Sequence, residues 1–231
     1  MPALKMWDGS QWVTVGGVSP RLYAALASLA PVSWWKLDEA SGAFADSGSA
    51  GIAGTIGSQF GARRAQPGPD RYSHCVTTVA NQGPAVATFG NNYAFAGTLP
   101  FTFVICHRPT GYGTNSRRVM AKNDSTAGSF IGLDTAGKMF AMRAGSGAAA
   151  ITLTSTMLLN EWNLYAHTYD GATQRAYCNG ESATLADSGS MPTSSTNLRL
   201  NGEPTNQVSW GADGGYSNFA VWNRALTVPE L

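Results

Sequence analysis

Hydrolysis of a glycosidic bond requires two carboxyl groups at a fixed separation, one acting as acid and the other as nucleophile or base. On a sandwich strand that chemistry takes a spacing such as Glu-x-Asp-x-x-Glu, and the 231-residue sequence contains none. Asp38 and Glu39 are adjacent, so on a strand they would point to opposite faces; they read as the turn that closes a strand. His74, His107 and His167 are far apart and form no HxH or HExxH pattern, so each reads as a strand histidine satisfied within the fold. The three cysteines, Cys75, Cys106 and Cys178, match neither a zinc spacing nor CxxC. Their odd number excludes a fully paired intramolecular set, and they read as reduced core thiols. There is no G-x-S-x-G elbow and no phosphate loop. Enzymatic activity is therefore not expected.

Aromatic residues offer recognition rather than reaction. Trp34, Trp162, Tyr169, Phe101 and Phe103 sit in alternating runs and read as core. Trp210, Tyr216, Tyr112 and Tyr93 lie in stretches rich in Gly and Asn. An aromatic side chain in a loop stacks on a sugar face or fills a protein pocket, and it serves equally well to cover the edge of a sandwich. These four are the candidate ligand-binding residues. Arg117 and Arg118, in "GTNSRRVMAK", read as a solvated pair in a loop.

The elements that must position these groups are mostly strands. From residue 32 to about 226, short alternating or apolar runs such as "FTFVICHR", "KMFAMRA", "AITLTS" and "WNLYAHTY" alternate with Gly, Asn, Ser and Asp. Ten or more strands so spaced predict a two-sheet antiparallel sandwich of the jelly-roll kind. Residues 20–30, "PRLYAALASLA", place Leu22, Leu26 and Leu29 at helical spacing behind Ser19 and Pro20, and Pro31 stops the helix. Residues 4–16, "LKMWDGSQWVTVG", predict a hairpin that sets Trp7 opposite Trp12. A lone hairpin is marginal in water, so it needs a surface to lie on. Near the end, Thr227 and Glu230 have the spacing of a capping box, and the helix it would open is read as cut short.

Composition narrows the function classes. Charged residues make up 13% and the net charge is +1, against a usual charged share of about 25%. That balance implies neither nucleic acid nor an anionic membrane as partner. No apolar run approaches a membrane span, and "MPALKMWDGSQW" lacks the apolar centre of a secretory signal. The expectation is a chain made in a cytoplasm that stays there or leaves as part of a larger object.

The stretch "EWNLYAHTYDGATQRAYCNGE" (161–181) resembles the signature of laminin-G-like, concanavalin A-like jelly rolls. So do "LYAALASLAPVSWWKLDEASG", "ADSGSAGIAGTI", "FTFVICHRP" and "VWNRALTVPEL", in order, so that the resemblance covers residues 22–231. In many such domains the resemblance implies a calcium ion held by loop oxygens and by an acidic pair in the closing strand. Here that pair is Ser217-Asn218, and Ala50, Ile52 and Ala53 stand in the loop, with Asp46 retained. Calcium takes six to eight oxygens, usually with carboxylates, so Asp46 is left as a weak candidate and no metal or other cofactor is expected. The segment "LKMWDGSQWVTV" is similar to units near the ends of phage tail and other virion proteins.

Together these readings predict an all-β jelly-roll sandwich over 19–231, with a single helix leading into it. Residues 1–18 form a hairpin attachment segment with Trp7 and Trp12 as the virion anchor. The expected function is that of a virion structural protein, a phage minor tail protein that is oligomeric in its assembly, touching other tail subunits or a host-surface glycan. The alternative is a non-viral carbohydrate-binding module of a cell-surface protein.

Overall fold

A computed structural model describes residues 4–7, 12–15, 19–56, 63–69, 73–78, 87–93, 95–113, 115–123, 127–202 and 211–231. Along the chain, β1 (Leu4–Trp7) and β2 (Trp12–Val15) precede α1 (Ser19–Ser28) and β3 (Ser33–Trp35). Four short strands follow: β4 (Thr55–Ile56), β5 (Arg63–Pro67), β6 (His74–Thr77) and β7 (Ala87–Thr88). Then come β8 (Phe101–Pro109), β9 (Arg117–Asn123), β10 (Gly128–Leu133), β11 (Lys138–Ala144) and β12 (Ile151–Thr156). The last are β13 (Asn163–Tyr169), β14 (Thr173–Cys178), β15 (Glu181–Ala186), β16 (Arg199–Leu200) and β17 (Gly214–Trp222), before a 3₁₀ turn at Val228–Glu230.

Two antiparallel sheets form the expected sandwich. One has the order β15-β14-β13-β8-β17-β6-β5 with β3 also paired to β17; the other has the order β12-β11-β10-β9-β16-β7-β4. The hairpin β1–β2 is a separate two-stranded sheet whose register sets Trp7 opposite Trp12, as the sequence predicts. The 3₁₀ turn opens on the predicted capping box of Thr227 and Glu230.

Burial explains the strand patterns. β15 is an outer strand and alternates, with Ser182, Thr184 and Ala186 exposed. β17 lies mid-sheet and is buried at every position, because its two faces meet different apolar layers. On the inner face Phe219 stacks on Trp35 with ring centroids 5.4 Å apart, and Trp35 meets Phe89 at 4.1 Å. On the outer face Ala220 and Trp222 join Val104, Ala166 and Trp34 under Leu22, Tyr23, Leu26 and Leu29 of the helix end. Trp222 Nε1 also donates to the Leu29 carbonyl at 2.9 Å. The helix is thus held by its periodic apolar stripe, and it ends where Ala30 turns to φ 48° ahead of Pro31.

β17 changes partners along its length. Gly215 and Tyr216 pair with β6, whereas Phe219 to Val221 pair with β3. The switch occurs at a bulge between Ser217 and Ala220, where Asn218 adopts φ 53°. Asn218 pins the bend: its amide donates to the Lys36 carbonyl at 3.1 Å, and its Oδ1 accepts from Trp34 Nε1 at 3.2 Å.

Candidate functional site

One end of the sandwich gathers the β8–β9, β10–β11, β12–β13 and β14–β15 connections. Main-chain bonds tie the first three together, from Met157 N to the Gly137 carbonyl at 2.9 Å and from Asn160 N to Pro109 O at 2.7 Å, and Thr110 N donates to Asp213 O, in the segment before β17, at 3.1 Å. Tyr112 is half-buried in this group. Its hydroxyl donates to the Met157 carbonyl, and its ring lies against Gly137, where a Cβ would approach to 2.5 Å. Gly137 has φ 76°, so both its backbone and its missing side chain serve the ring. Beside it Leu158 and Leu159 stand 60% and 41% exposed. Trp162 is half-buried, lies on Gly215 and carries the Arg108 guanidinium 5.5 Å over its ring. The result is an aromatic and aliphatic surface on loops held by the sheets.

The other candidate aromatics lie elsewhere. Tyr216 is no turn residue: it is an interior position of β17 at 0% exposure, with its hydroxyl donated to the Ala212 carbonyl and its ring 4.6 Å from His107. Tyr93 is 5% exposed and its hydroxyl meets Ser33 Oγ. Trp210 lies outside the described residues. Trp7 and Trp12 are placed by their backbone pairing alone. Arg117 and Arg118 are not a solvated loop pair: both belong to β9, and Arg118 is 7% exposed with its guanidinium 4.0 Å over Phe130. Of the residues read as core, Phe101, Phe103 and Tyr169 line the interior, while Trp34 is buried on the outer face beneath the helix. The three cysteines are free and buried.

Asp46 organises its loop. Oδ1 accepts from the amides of Trp34 and Gly48 at 2.8 Å each, and Oδ2 accepts from Ile52 N at 2.9 Å and Ser33 Oγ at 2.5 Å. Since a carboxylate only accepts, Ser33 spends its single proton on Asp46, and the Tyr93 hydroxyl must donate to Ser33. Among the described residues no three His, Cys, Asp or Glu groups converge as a metal ligand set.

A second directed chain of hydrogen bonds crosses the sandwich. Asp187 Oδ2 accepts from Arg143 Nη1 at 2.5 Å, Gln174 Nε2 at 2.7 Å and Ser146 Oγ at 2.9 Å. Gln174 therefore turns its Oε1 to His167 Nε2 at 3.2 Å, which must carry the proton. His167 Nδ1 is then the lone pair that accepts from Ser129 Oγ at 2.9 Å. Burial depresses His167 to about 3, which keeps the ring neutral. Ser129 also lines a narrow cleft of about 10 Å³ with Tyr93, Phe95, Lys122, Met191 and Ser194. Lys122 gives its protons there to Asn91 Oδ1 at 2.6 Å and to the carbonyls of Ser194 and Thr196. Below the ~300 Å³ at which small-molecule sites begin, this cleft is a seam between loops rather than a sugar site.

Residues 81–231 match the family described as the concanavalin A-like lectin/glucanases superfamily. The chain belongs to this superfamily. The lectin-like domain also resembles solved structures at low identity. It superposes on Trypanosoma rangeli sialidase in complex with sialic acid with a TM-score of 0.62 and 14% identity, over 87% of this chain and 32% of the sialidase. Against the binding domain of Paraclostridial Mosquitocidal Protein 1 the TM-score is 0.64 at 13% identity, over 87% of this chain and 50% of that one. Against the botulinum neurotoxin serotype D binding domain it is 0.65 at 10% identity, over 89% and 51%. The lectin-like domain thus spans about a third of the sialidase chain and about half of each toxin binding-domain chain. No curated protein sequence matches it.

Sequence reasoning picked out Tyr112 but missed Leu158 and Leu159. Their signal is present in "TSTMLLNEW": two adjacent apolar residues fall where strand alternation has stopped and before Asn160, at φ 62°, turns the chain.

Proposed function

We propose that this chain is a non-catalytic recognition module of a virion tail protein, contacting a host-surface glycan through the loop end that carries Tyr112. The observation that carries the reading is the exposed pair Leu158–Leu159 beside a Tyr112 ring fixed by Gly137 and Met157. An aromatic ring held at its hydroxyl and on one face is pre-organised to stack on a sugar. The hairpin β1–β2, with Trp7 opposite Trp12 and similar to segments of virion proteins, serves as the attachment to other tail subunits. No metal or other cofactor enters this reading. A non-viral carbohydrate-binding module is the second reading, favoured by the likeness to two toxin binding domains.

A glycan array probed with the full chain and with Tyr112→Ala tests the glycan contact. Binding by the parent that falls about tenfold or more in Tyr112→Ala, with the melting temperature held, is the expected result; no binding by the parent, or equal binding by both, overturns it. Deleting residues 1–15 tests the attachment. If the hairpin is the attachment segment, the truncated chain is expected to be lost from virions with the remaining domain still folded, whereas normal incorporation removes the anchor role of the hairpin.

A further inference from the structure

The two sheets end on four outer strands: β5 and β15 in one, β4 and β12 in the other. An outer strand exposes unpaired N–H and C=O groups and invites another strand, so folded proteins blunt it with charge, proline, bulges or brevity. Three of the four are blunted here. β5 carries Arg63, Arg64 and Pro67, with a register break between Arg63 and Gln66 and Ala65 at φ 51°. β4 has two residues. β12 has its Thr154 and Ser155 amides occupied by the Glu181 carboxylate, at 2.6 and 3.1 Å.

β15 has none of these devices. Its six residues, "ESATLA", pair with β14 without a break. It holds no proline, and its one charged side chain, Glu181, is turned onto β12. Among the described residues nothing pairs with its outer side. The phase of that side follows from the turn. Asn179 at φ 49° and Gly180 at φ 92° make a two-residue hairpin connection, so Cys178 and Glu181 exchange the first hydrogen bonds. The bonded pairs are then Cys178–Glu181, Ala176–Ala183 and Gln174–Leu185. The N–H and C=O groups of Ser182, Thr184 and Ala186 point outward.

We propose that β15 is an interface strand and that its occupant is β15 of a second copy of this chain, paired antiparallel about a two-fold axis at Thr184. In that register Thr184 faces Thr184, Ser182 faces Ala186 and Ala183 faces Leu185. A two-fold axis sets the residue on it against itself and repeats every other pair on both sides, so a charge at the axis would meet itself. This strand places uncharged residues at each of those positions, Ser, Thr or Ala at all but Leu185, and Thr–Thr is a favourable cross-strand pair. With a net charge of +1, the two copies repel each other little. The proposal is independent of what the Tyr112 end binds.

Sedimentation of the full chain across a concentration series tests it, alongside Thr184→Lys and Thr184→Pro. The first substitution doubles a charge at the axis; the second removes the outward N–H. The expected result is a dimer in the parent and a dissociation constant raised about tenfold or more in each variant, with unchanged circular dichroism. Should Thr184→Pro fail to fold, the exposed Thr184→Lys decides alone. Amide exchange supplies a second readout: Ser182, Thr184 and Ala186 slow as the dimer forms. A monomeric parent, or a dimer that survives Thr184→Lys, overturns the proposal; the latter would place the interface elsewhere on the chain.

Discussion

Arg143 and Asp187 meet at 2.5 Å with side-chain exposures of 0% and 1%, joining β11 of one sheet to the segment that leaves β15 of the other. The guanidinium also lies 3.5 Å over the Tyr169 ring and donates to the carbonyls of Gly97 and Gly189, at 2.7 and 3.2 Å. The pair is thus a polar bolt through an apolar sandwich, and its value depends on both halves being present.

Removing one half should be severe. Asp187→Ala leaves a buried guanidinium uncompensated and is expected to cost about 3–5 kcal/mol, read as a lowered urea midpoint. Arg143→Met with Asp187→Leu removes both charges and should recover a large part of that loss, because apolar replacements of buried ion pairs are often neutral or better. A single variant within experimental error of the parent would refute the account.

Acid should weaken the fold through two histidines. Burial pushes His107 and His167 down to about 3; the carbonyls of Ala212 and Asp213 favour charged His107, and Gln174 favours charged His167, but neither offsets burial. In the unfolded chain each titrates near ~6.5. The folded state therefore binds fewer protons below that value, and stability falls as pH drops from about 6.5 toward 3, by about 1.4 kcal/mol per pH unit for each ring. Above about 6.5 the contribution is complete. A melting temperature that stays flat between pH 7 and pH 5 would count against it.

Asp46 should act as a loop organiser rather than a calcium ligand. Its two oxygens already accept four hydrogen bonds from Ser33, Trp34, Gly48 and Ile52. Low-millimolar calcium is expected to leave the melting temperature unchanged, since an ion bound to the native state alone must raise it. Asp46→Ala should lower the melting temperature, through a stability loss of about 1–3 kcal/mol for the amides left unpaired. A calcium-induced rise of several degrees in the parent would reverse the assignment.

The sandwich, the helix, the Trp7–Trp12 register and the Thr227–Glu230 box were legible because each depends on local spacing and capping chemistry. Tyr216 was not. "GADGGYSN" has turn composition, yet Gly214 and Gly215 are strand residues. They are glycine because Arg108 O and the Trp162 ring pack where their Cβ atoms would be, at 2.1 and 3.0 Å. A glycine demanded by a neighbour distant in sequence looks the same as one demanded by a turn. Arg118 misled for a related reason: its partner is an aromatic ring on the adjacent strand, which only the register supplies. Tyr112 could be singled out by type, but not its stacking on Gly137 or its setting beside Leu158, which come from three separate loops.

The change of partners within β17 bears on how the molecule is made. β17 sits between β8 and the pair β6 and β3, though more than a hundred residues of chain separate it from each of them. Until it is inserted, the sheet is three unconnected pieces, β15-β14-β13-β8, β6-β5 and β3, with Trp35 and Phe103 lacking Phe219 between them. Such distant pairings pay their loop-closure entropy before any contact repays it. Assembly of this sheet must therefore wait for the ribosome to release Gly214–Trp222, and a nascent chain that stalls earlier presents raw strand edges to its neighbours.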